Sequence, residues 1–473
     1  MLHTLTRREL LRAGLFLSGA VLATYSCRSS AGVSPTPTAS PTSKTSPTAG
    51  LPWPQANQIV NETVVPTFPE LFFRVTDARF GAARNGSTDD TSAFRRAIEA
   101  CSAAGGGHVV VPAGAYSTGA IQLLNNVDLH LERGAVLQFN GAVNNYPLVL
   151  TRVAGIECMN YSPMVYAFEQ TNIALTGEGV LDASGTASWN VGTDFTRILD
   201  PLVAAGVPPE QRIVPGRGQL RSSFVQPYRC TNVLIQGVTL RRAQFWQLHP
   251  TLCQNVTIDR VTTGETSVIN TDGCNPESCD HVVIKHCTLI AFDDCIALKS
   301  GRDADGRRVN TPCQNVVIFS CMFQGPAGGI ACGSEMTGGI RNVYVYDIQT
   351  IGSSVLYMLY VKSNTRRGGY AINLHLDSVR ADHAGGAWAF AQMDYNAQTG
   401  GYPPEFGDWH LTRVAGDSDP RVLRLSGLSG NPIRGVEVRD SAFTNVGASA
   451  NLYSYVTGLE FDNVSINGVG VSS

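Results

Sequence analysis

Residues 270–301 read NTDGCNPESCDHVVIKHCTLIAFDDCIALKSG, and the fold is decided by how this stretch is read. Asp272 lies in N-T-D-G, and the pair Asp293-Asp294 follows 21 and 22 residues later. Between them Asn275-Pro276 signals a turn, and His281–Lys285 and Thr288–Ile290 read as short strands. The same kind of run recurs as C-T-N-V-L-I from Cys230, C-Q-N-V-T-I from Cys253, C-D-H-V-V-I from Cys279, C-Q-N-V-V-I from Cys313 and I-R-N-V-Y-V from Ile340. The intervals are 23, 26, 34 and 27 residues. A loosely fixed period in this range marks a solenoid, in which each repeat buries its apolar face on its neighbours. The expected fold is an all-β parallel β-helix, one coil per repeat.

In such a helix, a residue one coil onward lies about 4.7–4.9 Å away. Asp272 is then expected one rung from Asp293 and Asp294. Three carboxylates on one face repel one another, so at least one should have a raised pKa. That arrangement suits general acid and general base work on a glycosidic bond. Asp-Gly and Asp-Asp are also common turn pairs; their placement one coil apart, between strands, favours a catalytic cluster.

The composition agrees with a solenoid. Charged residues make up 15% of 473 positions and glycine is abundant at 48, which fits many short strands joined by turns. A length prior of roughly 150 residues per domain would suggest three domains, but a solenoid grows along one axis without dividing its core. The net charge of −3 and the lack of a long basic run argue against a general nucleic-acid binder. Of the twelve cysteines, Cys230, Cys253, Cys279 and Cys313 share one slot of successive repeats, and Cys287 and Cys321 share a second. Stacked inside a coil they pack as small apolar groups, so mostly buried thiols are expected, with bridges between neighbours left open. Their spacing forms no zinc pattern. The asparagine slot (Asn232, Asn255, Asn315, Asn342) predicts a hydrogen-bonded ladder.

Residues 1–33 carry Arg7-Arg8 ahead of an apolar run from Leu15 to Ala23, which resembles a twin-arginine export signal and is too short to span a membrane. Cys27 leaves lipidation and a membrane tether open, beside cleavage by an ordinary signal peptidase. Residues 34–50, rich in Ser, Thr and Pro, read as an extended spacer. An exported monomer is expected, with one solenoid domain over 51–473. Ser87 to Asp90 supply N-cap candidates for a helix through Ala93, Ala97, Ile98 and Cys101, closed by Gly105-Gly106-Gly107 and followed by a strand over His108–Val111. A short helix here caps the open end of a solenoid.

Several motifs resemble glycoside hydrolase family 28, the polygalacturonases. They are the cap and first coils from Phe73 to Phe139, Glu157-Cys-Met-Asn-Tyr-Ser-Pro163, Gly177-Glu-Gly-Val-Leu-Asp182, Phe245-Trp-Gln-Leu-His-Pro250 and the stretch 270–308. Ser300–Arg308 resembles the bacterial, often exo-acting branch. The resemblance implies a right-handed, pectin-lyase-like β-helix that hydrolyses α-1,4-galacturonide linkages of pectin with inversion. It implies Asp293 as general acid, and Asp272 and Asp294 as the groups that hold and activate water. Two carboxylates would then stand about 6.5–9.5 Å apart. Asn270 would shape the same face, and no metal or organic cofactor is implied.

Two departures stand out. Pro326-Ala327-Gly328-Gly329 replaces the family's G-H-G-G, and Tyr360-Val361-Lys362 replaces R-I-K. Lys362 remains to meet a substrate carboxylate as a point charge. The departures point toward altered specificity, with rhamnogalacturonan or xylogalacturonan as the other pectic backbones to weigh. A polysaccharide-binding solenoid without turnover is the non-enzymatic rival, and the intact aspartates count against it. A calcium-dependent pectate lyase would need a calcium cluster and an arginine base. Further candidates are Trp246 as a sugar platform or a core ring, His249 as a cleft-edge or satisfied core histidine, and Arg302, Arg307 and Arg308 in a loop that meets an anionic sugar or only solvent. Gly386–Glu405 is expected to form a long loop over the cleft.

Overall fold

The computed structural model describes residues 50–217, 219–352, 355–447 and 451–472; the expected export signal and nearly all of the spacer fall outside them. Every repeat contributes one coil of a right-handed parallel β-helix. One coil, for instance, runs through Val225–Tyr228, Thr231–Gln236 and Thr239–Arg241, each strand pairing in parallel with its counterparts in neighbouring coils. The strands expected at 281–285 and 288–290 are present as Asp280–Lys285 and Thr288–Ile290.

Register aligns like with like. Ile173, Val233, Val256, Val282, Val316, Val343, Leu374, Trp409 and Val436 form one continuous column, each paired with the next. All nine are buried. Continuous burial explains why the repeats read as β-branched runs and not as clean alternation. The cysteine slots lie in the same interior. All eleven cysteines of the described residues are buried free thiols, and backbone N–H groups of Cys230 and Cys253 donate to the next coil's sulfur at 3.4 Å.

The asparagine ladder occupies a left-handed corner. Asn232, Asn255, Asn315 and Asn342 have φ of 55–57°, a conformation that asparagine tolerates well. Their amides bond from coil to coil at 2.8–2.9 Å. The ladder extends further than expected, through Asn126, Asn172 and Asn373. His281 interrupts it, and Asp280 accepts from Asn315 there instead.

Helix α1 (Pro54–Glu62) lies outside the coils, with Ala56 and Ile59 buried against Val317 and Tyr344 and Trp53 against Tyr344 and His375. Helix α2 (Thr91–Ala103) is the expected cap and buries Phe94, Ala97, Ile98 and Cys101. Its start differs from the expectation. Asn85–Asp89 is a strand, and the Asp90 carboxylate accepts from Ala83 N–H while only its carbonyl caps the helix. At the other end Gly105 and Gly106 take φ of 94° and 118°, and a Cβ on Gly106 would lie 2.5 Å from Asn126 O.

The third face of each coil forms the cleft sheet. Strands Val165–Phe168 and Val225–Tyr228 continue through single bridges at Leu248 and Cys274 into Ile296–Leu298, Gly328–Gly333, Tyr357–Lys362, Ala387–Gln392 and Leu423–Ser426. The region expected as one long loop over 386–405 is therefore divided. Ala387–Gln392 is a buried strand of this sheet, and only the part after it is irregular. A hairpin (Leu148–Val153 with Ile156–Tyr161) and an insertion carrying helix α3 (Phe195–Ala204) flank the sheet near the coil of Asp293-Asp294, and helix α4 (Asp303–Val309) follows that coil.

Candidate active site

The rung offset expected for the aspartates is present. Gly273 N–H donates to Asp294 O at 3.0 Å and Cys274 N–H to Cys295 O at 2.9 Å, and Cys274 bridges to Ile296. Asp272 thus sits one coil from Asp293-Asp294, and all three carboxylates are at most 5% exposed.

Each carboxylate has its own partners. Asp272 Oδ2 accepts from Asn275 Nδ2 at 2.9 Å and stands 3.8 Å from Lys299 Nζ. Its Oδ1 is buried with no donor among the described residues. Asp294 Oδ2 accepts from Lys362 Nζ at 2.9 Å, and Oδ1 accepts from Gly328 N–H at 2.8 Å. Gly328 allows that approach, because a Cβ there would lie 2.8 Å from the same oxygen. Asp293 accepts from Asn270 Nδ2 at 3.1 Å and from Asp294 N–H at 3.1 Å. Asn270 is fixed in turn, in the left-handed region at φ 62°, with its Oδ1 accepting from Arg221.

Burial and then the Asp293 charge push the Asp272 carboxyl up to about 7, against the opposing pull of Lys299. Asp272 is thus the raised carboxyl that the sequence expectation required. The same shift has a stability consequence. The folded pKa lies above the unfolded value of about 3.9, so the folded state holds an extra proton between about pH 4 and 7 and loses stability as pH rises through that window. Asp272→Asn is expected to melt roughly 2–5 °C higher than the wild type at pH 8, with the gap closing at pH 4. Asp419, buried far along the helix and also pushed up to about 7 by burial, gives the matching control. Asp419→Asn should show the same pH-dependent gain while keeping full activity; scanning calorimetry at both pH values checks the pair.

The remaining expected residues are distributed differently. Lys362 and Tyr360 face the cleft on strand Tyr357–Lys362, with the lysine ammonium 4.1 Å from the tyrosine ring. Lys362 is already paired with Asp294, so it is not a free point charge. Lys362→Met is expected to lower kcat/KM about 10–100-fold, the range of a lost charged hydrogen bond; steady-state kinetics beside an Arg variant test this. Ala327 lies half-buried one residue before Gly328 and brings no polar side chain to Asp294.

Arg302 is not in an open loop. It is 2% exposed, pairs with Asp200 of α3, and immediately precedes α4. Arg307 donates to the carbonyls of Arg366 and Arg367, and Arg308 pairs with Asp305 and Glu157. His249 is fully buried, with Nε2 2.9 Å from Glu277 and Nδ1 2.9 Å from both Ser223 and Gln226. That is the satisfied core arrangement. Trp246 stacks on Phe245 and lies under Lys299 Nζ at 4.6 Å.

Sequence reasoning missed Lys299, Asn275, Glu335 and Arg221. Lys299 donates to Glu335 at 3.1 Å and to Gly333 O at 3.3 Å, and its backbone bridges to Glu277. It sits five residues after Asp294, on the strand flank that alternation turns outward; that was its only signal. Arg221 arrives from the insertion and had none. It donates to Ile269 O and Gln244 O, and burial lowers its pKa to about 10.

A parallel β-helix carrying clustered, buried carboxylates on one sheet offers the groups that acid–base hydrolysis of a glycosidic bond uses. Comparison with known proteins specifies it. The family described as "Glycosyl hydrolases family 28" matches residues 215–463, and the chain belongs to that family. It is 32% identical to a hyperthermoactive exopolygalacturonase from Thermotoga maritima, whose crystal structure superposes at a TM-score of 0.80 over 88% of this chain and 96% of that one. It is 28% identical to a probable polygalacturonase of Vitis vinifera over 82% of this chain and 73% of that one. An exo-poly-alpha-D-galacturonosidase of Dickeya chrysanthemi is 24% identical over 60% of this chain and 51% of its own length.

Proposed function

We propose that this glycoside hydrolase cleaves α-1,4-galacturonide linkages of pectic polygalacturonate from chain ends, with inversion. The observation that carries the reading is the trio itself: three buried carboxylates on adjacent rungs, two of them beside lysine ammonium groups. Asp294, held by Lys362 and Gly328, takes a proton from the attacking water. Asp272 orients that water through its donor-free Oδ1. Asp293 delivers a proton to the leaving oxygen as the C1–O bond breaks and water forms the new bond to C1. Solvent then returns the proton balance. The chain-end mode is supported by the names of the exo-acting relatives.

Product analysis tests this. Polygalacturonate should release saturated galacturonate with only a slow fall in viscosity, and proton NMR should show the inverted anomer first. An early fall in viscosity would overturn the chain-end mode, and unsaturated ends would overturn hydrolysis. Ala327 and Tyr360 favour one second reading, hydrolysis of rhamnogalacturonan or xylogalacturonan; release from those backbones alone would establish it.

The protein is further proposed to be exported through Arg7-Arg8 and to act as a monomer, its signal ending either at a lipidated Cys27 or by cleavage with an ordinary signal peptidase. Retention of an Arg7→Lys/Arg8→Lys variant in the cytoplasm is the expected result, and metabolic labelling with a fatty acid separates the two endings, since only the first gives label that depends on Cys27.

A further inference from the structure

An anionic sugar needs a cation, and most cations around the trio already have acceptors. Lys362 holds Asp294, and Lys299 holds Glu335 beside Asp272. Arg221 donates through both terminal nitrogens to Gln244, Ile269 and Asn270. Arg302 and Arg366 share Asp200.

Arg367 differs. It is 6% exposed, and its Nε and Nη1 are buried with no acceptor among the described residues. Its nearest carboxylates are Glu335 at 3.8 Å and Asp303 at 3.9 Å, beyond hydrogen-bond length. Leaving such donors unmatched is costly. The group shares neighbours with both lysines. Its Cζ lies 5.8 Å from the Tyr395 ring, with Lys362 Nζ at 5.9 Å from the same ring. Through Glu335 it is one residue from Lys299. The backbone is fixed beforehand, with Arg367 N–H donating to Asn364 Oδ1 at 3.0 Å and Arg307 donating to Arg367 O.

We propose that Arg367 binds the carboxylate of a galacturonate unit at the active site, supplying the guanidinium that Tyr360 does not. This deepens the proposed function and rests on it. An ammonium at Lys362 remains committed to the catalytic machinery, while Arg367 confers selectivity for the free uronate.

The test uses the full chain with Asp293→Asn, so that ligand survives, and compares trigalacturonate with its methyl ester by calorimetric titration. Turnover by the wild type is assayed separately and decides the hydrolase reading by itself. Adding Arg367→Met should weaken binding of the free acid about 10–100-fold, the range of a lost charged hydrogen bond, and leave the ester within about threefold. Arg367→Lys should keep part of the preference, and it carries the test if the Met variant does not fold. Equal weakening of both ligands would assign Arg367 a merely structural role and overturn the proposal. An unchanged preference, or no binding of either ligand, overturns it as well.

Discussion

Asp293→Asn is expected to lower kcat on polygalacturonate by about 10²–10⁴-fold, the usual contribution of a positioned acid, while KM and melting temperature change little. An asparagine keeps the size of the side chain and can still meet Asn270 and Asp294 N–H, but it has no proton to deliver to the leaving oxygen. The loss should be relieved for substrates with an acidic leaving group such as a nitrophenol, which departs without protonation. That relief separates an acid from a residue that only holds the site together. Asp272→Asn and Asp294→Asn should lose activity without it, because their task is the water. A fall of less than tenfold in Asp293→Asn, or equal relief in all three, would remove Asp293 from the acid role.

The second large effect concerns stability. Glu277 is fully buried, accepts from Gly301 N–H at 3.1 Å, meets His249 at 2.9 Å, and stands 3.3 Å from the fully buried Arg152 of the hairpin. It ties the catalytic coil to the hairpin at Leu148–Tyr161. Glu277→Ala leaves the Arg152 guanidinium buried with Glu157 at 3.9 Å as its nearest remaining carboxylate. Breaking a buried pair in this way costs about 3–5 kcal/mol. Urea unfolding should show that loss for Glu277→Ala and less for Glu277→Gln, which keeps a hydrogen-bonding carbonyl. The double replacement Arg152→Met/Glu277→Leu should recover most of it, since removing both charges removes the unpaired one. A cost below about 1 kcal/mol in the single variant would mean that water reaches Arg152, which the burial of both residues argues against.

How much of this was legible beforehand varied with the kind of interaction. The coil period, the apolar columns, the cysteine slots and the asparagine corner repeat in sequence as they repeat in space, since each coil pairs with the next in fixed register. The one-rung relation of Asp272 to Asp293-Asp294 follows from the same periodicity. Arg302 misled because a charged residue after a turn reads as solvated, and its partner Asp200 lies 102 residues away. The region 386–405 misled because a buried strand rich in aromatics and small residues, A-W-A-F-A-Q, resembles a loop by composition.

The sequence by itself therefore determined the solenoid, the cap, the family and the one-rung placement of Asp272 beside Asp293-Asp294, all set by local pattern and nearest-neighbour register. Only the tertiary structure decided which cation serves which carboxylate. Lys299 beside Asp272, Lys362 on Asp294, Arg221 behind Asn270 and Arg367 with unmatched donors come from different coils and an insertion. Buried charges act over several ångströms of low-dielectric interior, and no period in the chain records which of them will meet.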